Sequence, residues 1–139
     1  MKKEKSAGAI IKNSKNRYLL LHYPTRPPRS REQYWGLVKG HVEEGENELE
    51  TVKRETKEET GIKDLKIIEG FKETINYTFE TDEAKIYKTV VFYLAKTKTE
   101  DIKLSHEHIG YKWATFEEAL ETLTYKESKN VLKKAEEFK

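Results

Sequence analysis

The sequence predicts an α/β protein in which helices pack on a mixed β-sheet. The order of its segments is two extended runs, a helix, two more extended runs, a short strand and two helices, which requires helices laid against a sheet. A length of 139 residues with 35% hydrophobic residues suits a single domain over residues 1–139 with a substantial core. The 37% of charged residues describes a highly charged surface.

Ser6 to Lys12 and Arg17 to Tyr23 are aliphatic and aromatic runs separated by Asn13-Ser14-Lys15-Asn16, so they read as a hairpin. Pro24 to Arg31 contains all three prolines and three arginines, a composition expected of an exposed loop. Trp35 to Val38 is a short apolar piece ending at Lys39-Gly40. Asn47 to Thr60 lacks Gly and Pro, repeats Leu49, Val52 and Thr56 at spacings of three and four, and stops at Gly61, which predicts a helix docked through that semi-apolar stripe. Leu65 to Thr81 and Ala84 to Thr97 are extended and joined by Thr81-Asp82-Glu83, as a second hairpin. Apolar residues on both alternating faces of Ile86 to Leu94 predict a strand covered on both sides. His108 to Trp113 is one more strand, Thr115 with Glu118 forms a capping box for Phe116 to Thr122, and Ser128 to Phe138 is a last amphipathic helix.

The absence of cysteine excludes a disulfide framework, a thiolate metal site and a cysteine nucleophile. No apolar run approaches the ~20 residues of a membrane-spanning helix. The charged start Met1-Lys2-Lys3-Glu4-Lys5 leads into a strand-like run rather than a secretory core, so a cytoplasmic protein without membrane association is expected. Net charge is only +2, but it is unevenly placed. Glu43 to Thr60 carries eight acidic residues against three basic, a local −5, leaving +7 on the rest. Such an island can be a solvated helix face. It is also what would hold a divalent cation within a background that attracts a polyanion.

A helical rotation of about 100° per residue puts Glu48, Glu55, Glu58 and Glu59 on one face, beside the Leu49, Val52 and Thr56 stripe. Like charges at i, i+4, such as Glu55 and Glu59, cost helix stability, and a bound magnesium ion would compensate. Arg54, at i, i+4 to Glu58, is placed to brace the carboxylates.

Gly40, Glu46, Arg54, Glu55, Thr56, Glu58, Glu59, Gly61 and Ile62 together form G-x5-E-x7-R-E-T-x-E-E-x-G-I. This resembles the signature box of the Nudix hydrolases, differing only at Thr56, where the general pattern has a bulky aliphatic residue. The resemblance implies the Nudix fold, a mixed sheet sandwiched between helices in α/β/α layers. Lys39-Gly40-His41-Val42-Glu43, Ile67-Ile68-Glu69-Gly70-Phe71, Asn76-Tyr77, Lys88-Thr89-Val90, Ser105-His106-Glu107-His108 and Trp113 are further similar to the asymmetrical diadenosine tetraphosphate hydrolases, which share the threonine.

The resemblance implies hydrolysis of a dinucleoside tetraphosphate to ATP and AMP, with magnesium as cofactor and manganese as the alternative. It gives Glu59 the first claim as general base, with Glu55 and Glu58 as metal ligands or partners of the base. It adds Glu107 to the metal set from outside the box. Lys39, His41 and Lys88 match positions along the phosphate chain, and Lys88 shares a strand face with Ile86 and Val90, which favours a cleft-directed side chain. Tyr77 and Tyr125 match the positions that sandwich adenine, although a tyrosine in such places can simply pack. His106 and His108 read as structural, with a supporting role behind the site left open. Tyr34 stands where some members have a phosphate-contacting histidine, and Leu37-Val38 where proline is frequent, so phosphate contacts can be shared with Arg26, Arg29 or Arg31. The partner is thus a small-molecule substrate. The rivals are another nucleoside diphosphate derivative, RNA 5′-triphosphate ends as the one nucleic-acid option, diphosphoinositol phosphates, and a non-catalytic nucleotide sensor.

Overall fold

The alternation of small and aliphatic side chains in the first strand decides the layering. In β1 (Lys2–Lys12), Ala7, Ala9 and Ile11 point to one side of the sheet and Ile10 to the other, and all four are buried. The computed structural model describes residues 1–26 and 32–138. Its other elements are β2 (Tyr18–Tyr23), β3 (Tyr34–Gly36), β4 (Val38–His41), α1 (Glu48–Thr60), β5 (Lys66–Glu80), β6 (Lys85–Lys96), β7 (Gly110–Ala114), α2 (Phe116–Thr122) and α3 (Lys126–Glu137).

The described strands form one mixed seven-stranded sheet in the order β3-β2-β1-β6-β5, with β4 also on β1 and β7 also on β2. β1 and β6 run parallel from Lys2 opposite Ile86 to Lys12 opposite Lys96. One apolar face packs with Val52 of α1 and with Ile62 and Ile102. The other packs with Ala119 and Leu123 at α2 and Val131, Leu132 and Ala135 of α3. These are the expected α/β/α layers, and β6 is covered on both faces as expected.

The first pair of strands departs from a simple hairpin. The turn exists: Asn13 Oδ1 accepts from the amides of Lys15 and Arg17, and Asn16 adopts φ 60°. Pairing of β1 with β2 is registered at Lys12 and Tyr18, and Ser6 to Ala9 pair instead with β4. Gly8 admits that neighbour, because a Cβ there would collide with the Val38 carbonyl, Lys39 and Phe92. β2 turns to β3 and β7.

Helix α1 starts at a capping box between Asn47 and Glu50 and ends at Gly61 in the left-handed region, φ 78°. Its buried side is Thr51, Val52, Thr56, Glu59 and Thr60. Leu49, expected in the docking stripe, is 39% exposed, because the first turn borders an open groove with Lys5, Val42 and Tyr93. The β5–β6 hairpin closes where Thr81 exchanges hydrogen bonds with Ala84, and a bulge between Ile67 and Lys72 contains Gly70 at φ 96°. Helix α2 has the expected Thr115–Glu118 capping box; α3 begins two residues before Ser128. Pro27, Pro28, Arg29 and Arg31 of the expected loop lie outside the described residues. No described helix is long and apolar enough to cross a membrane.

Candidate active site

The loop from Gly40 to Asn47 and helix α1 are bound together by one guanidinium. Arg54 donates from Nε to Glu46 Oε2 at 2.6 Å and from Nη2 to Glu46 Oε1 at 3.0 Å, a bidentate pair. Its Nη2 also donates to the His41 carbonyl at 2.9 Å, and its Nη1 donates to Glu55 Oε1 at 2.7 Å and Glu58 Oε2 at 3.4 Å. The bracing role expected for Arg54 is therefore met, with Glu46 as its strongest partner. Arg54 first, with Thr51 and the Glu43 amide, pulls the Glu46 carboxyl down to about 2. Gly40 is required beside it, because a Cβ there would occupy the place of the Glu55 carboxyl group.

The four carboxylates of the predicted face do not stay together. Glu55 and Glu59 are close enough for the charge of Glu55 to raise the Glu59 carboxyl. Glu58 lies on the outer side of Arg54, with its side chain 58% exposed. Glu48 is drawn off to Lys5 at 2.6 Å, the Tyr93 hydroxyl at 2.6 Å and Lys72 at 3.3 Å. Helical rotation placed these residues correctly on one arc, but their partners on β1, β5 and β6 decide which way each side chain turns.

Glu59 is the most confined of the set. It is 4% exposed, and burial first, then the charges of Glu55 and Glu107, push its carboxyl up to about 9 against the opposing Lys39. Its Oε2 is buried without a hydrogen-bond partner. The imidazole of His108 stands beside Oε1, with Nε2 at 3.0 Å, and burial pushes His108 towards its neutral form. Glu107 is held from the other side by Arg26, whose Nη2 donates to the Glu107 carbonyl at 2.7 Å and lies 3.9 Å from its carboxylate.

Among the described residues, no three His, Asp or Glu side chains converge at metal-ligating distance. The buried, unpartnered Glu59 oxygen beside a second carboxylate nevertheless fits a hard divalent cation, which takes oxygen donors and relieves their repulsion.

On the opposite side of the sheet the strand registers collect cations and aromatics. Tyr77 of β5 and Glu4 of β1 are the cross-strand partners of Lys88, and Lys39 of β4 lies opposite Gly8. Lys88 is 6% exposed on the strand face it shares with Ile86 and Val90, and its Nζ is 3.6 Å from Glu4. Lys39 Nζ sits 5.9 Å from the centre of the Tyr77 ring, and burial first, then the Lys88 charge, lowers its ammonium to about 8. His41, at the end of β4, is exposed.

Tyr125 arrives from the far end of the chain. Thr124 Oγ1 accepts from the Trp35 amide at 2.9 Å and the Thr124 amide donates to the Trp35 carbonyl at 3.2 Å. This link sets the Tyr125 ring 5.2 Å from Tyr34, which stacks on Tyr23 at 4.6 Å. Tyr34 also lies close enough to Tyr77 to be raised by it. The sequence marks Tyr34 only as a departure and reads His108 as structural, with a supporting role behind the site left open. Neither Glu4 facing Lys88 nor His108 facing Glu59 has a local signal, since no spacing rule connects a loop to a helix 49 residues earlier.

A family model described as the NUDIX domain matches residues 2–135. The chain is 44% identical over 109 residues to the asymmetrical bis(5'-nucleosyl)-tetraphosphatase of Mus musculus, covering 76% of this chain and 71% of that protein. It is 38% identical over 141 residues to the enzyme of that name from Caenorhabditis elegans, covering 96% of this chain and 95% of the relative. The crystal structure of a C. elegans Ap4A hydrolase binary complex aligns with a TM-score of 0.77 at 36% identity, over 94% of this chain and 93% of that one. With box helix, layered sheet and near full-length matches in agreement, the chain belongs to the Nudix family.

Proposed function

We propose that this protein hydrolyses dinucleoside polyphosphates, cleaving diadenosine tetraphosphate to ATP and AMP. The observation that carries the reading is the Glu55–Glu59 pair on α1, close enough to Lys39 for its charge to be felt at Glu59, with Lys88 and Tyr77 next to that lysine. The names of the 38–44% identical relatives supply the substrate class.

Magnesium, when bound, neutralises charge on the polyphosphate and on the carboxylates, which keeps Glu59 ionised. Glu55, Glu58, Glu59 and Glu107 are the residues that would hold it. Glu59 takes a proton from the attacking water as the water oxygen bonds to the phosphorus that carries adenosine. The bridging P–O bond breaks, and ATP leaves. Lys39, Lys88 and the exposed His41 bind the phosphate chain by charge and donated hydrogen bonds. Tyr77 and Tyr125 stack on adenine.

Incubation of the protein with diadenosine tetraphosphate and magnesium in ¹⁸O-water, followed by ion-exchange separation of the products, tests this reading. ATP plus AMP, with the label in AMP, is the expected result. Two ADP molecules would show attack at a different phosphorus. Absence of turnover would remove this substrate and direct the assay to RNA 5′-triphosphate ends and diphosphoinositol phosphates.

A further inference from the structure

The loop between β6 and β7 is joined to the last turn of α1. The Lys103 amide donates to the Thr60 carbonyl at 2.9 Å and the Ser105 amide to the Glu59 carbonyl at 3.2 Å, satisfying carbonyls that a helix end otherwise leaves open. The loop then turns back through a His108 amide bond to the Ser105 carbonyl at 3.2 Å, which brings the His108 ring under Glu59. The His108 side chain is 2% exposed, and its ring meets the Tyr23 ring edge-on at 4.7 Å. Tyr23 is itself fixed by donating its hydroxyl to the Leu37 carbonyl at 2.6 Å.

The hydrogen bonds around Ser105 admit a proton on either imidazole nitrogen, and Nε2 is the one that faces a carboxylate. Ser105 Oγ accepts from the Glu107 amide at 3.3 Å and stands 3.1 Å from His108 Nδ1. The hydroxyl can give its one proton to Nδ1 while a lone pair accepts from the Glu107 amide. In that tautomer the neutral ring carries its hydrogen on Nε2, the nitrogen 3.0 Å from Glu59 Oε1. In the present orientation the two are near but not aligned, and both Nε2 and Glu59 Oε2 are buried without a hydrogen-bond partner. Alignment of Nε2 with a Glu59 oxygen requires a turn of the carboxyl group or of the ring.

We propose that Ser105 and His108 are positioning residues for Glu59, with the His108 Nε2–H holding one carboxylate oxygen so that the other faces the reacting water. The proposal rests on the reading of Glu59 as the proton acceptor. It assigns a function to a buried histidine that the phosphate, base and metal roles leave unused.

The test is steady-state kinetics with diadenosine tetraphosphate and magnesium on His108→Leu, His108→Gln, Ser105→Ala, Glu59→Gln and the His108→Leu/Glu59→Gln double variant, with thermal unfolding of each. The Gln amide can place an N–H near the position of Nε2; Leu cannot. His108→Leu is expected to lose about 10- to 100-fold in kcat with KM unchanged. His108→Gln should recover most of that loss, and Ser105→Ala should lose a few-fold in kcat. In the Glu59→Gln background, His108→Leu should add no further loss. Equal impairment of the Leu and Gln variants, a change confined to KM, or a full further loss in the double variant overturns the proposal. Should His108→Leu fail to fold, the kcat values of His108→Gln and Ser105→Ala, with wild-type unfolding midpoints, decide it. Wild-type turnover in Glu59→Gln would remove the reading of Glu59 itself, an outcome distinct from normal turnover in His108→Leu alone.

Discussion

At Glu59, burial and a neighbouring carboxylate act in one direction, and both lift its carboxyl to about 9. A carboxyl whose folded value exceeds its unfolded value of about 4.5 adds stability that is fully present below that unfolded value. That stability is lost as pH rises towards 9. In the presence of a chelator, the unfolding midpoint of the wild type is therefore expected to fall between about pH 5 and pH 8 relative to Glu59→Gln. A pH-independent difference between the two proteins would show that Glu59 is ionised throughout. The same substitution should lower turnover by on the order of 10² with the fold retained. Lys39 has the opposite sign: burial and Lys88 lower it to about 8, so its charge is lost as pH rises through 8. On the proposed reading KM then increases above about pH 8, and Lys39→Arg, which stays charged, flattens that increase. Tyr125→Ala is expected to raise KM for adenine dinucleotides with little effect on kcat, while an unchanged KM would leave Tyr125 a packing residue of the Tyr34 stack.

The elements that were readable from sequence are those defined by short-range rules. Helix α1 ends at Gly61 because the chain needs φ 78° there, and α2 begins at Thr115 because a threonine and a glutamate three positions apart can cap each other. Asn47→Ala, which removes the side chain bonded to the Glu50 amide, should cost about 1 kcal/mol in unfolding free energy. Gly40→Ala is expected to leave α1 folded and to abolish most of the activity, because the new methyl group displaces the Glu55 carboxyl. Wild-type activity in that variant would show that Glu55 has room to move without consequence. What sequence left open at this scale was the extent of pairing, since β1 and β2 do pair antiparallel across their turn but only at its end. The turn at Asn13 to Asn16 was legible, but the insertion of β4 beside β1 depends on the missing side chain of Gly8 and the shape of a strand thirty residues away. Leu49 kept its place on the helical arc and lost its burial, since periodicity gives a direction and cannot show where the neighbouring layer ends.

Across the whole molecule, the two apolar clusters show how the sheet separates chemistry as well as layers. The side that takes α1 brings the carboxylates, and the side that takes α2 and α3 brings Tyr77, Lys88 and Lys39, with the strand registers carrying residues from β1, β4, β5 and β6 to one end. Ligands that bind the folded state alone stabilise it, by an amount that grows with the logarithm of their concentration over Kd. Magnesium should accordingly raise the unfolding midpoint of the wild type more than that of Glu59→Gln, and equal shifts would place the cation elsewhere. By itself the sequence determined the class of fold, the extent and caps of the box helix, the common arc of Glu55, Glu58 and Glu59, and the buried face of Lys88, because each follows from the fixed periods of helices and strands. Only the tertiary structure decided that Glu48 pairs with Lys5 and Tyr93, that Glu58 stays outside Arg54, that Tyr125 reaches Tyr34, and that His108 stands against Glu59. Those outcomes depend on which elements meet and on how deeply each charge is buried, and no spacing along the chain encodes either.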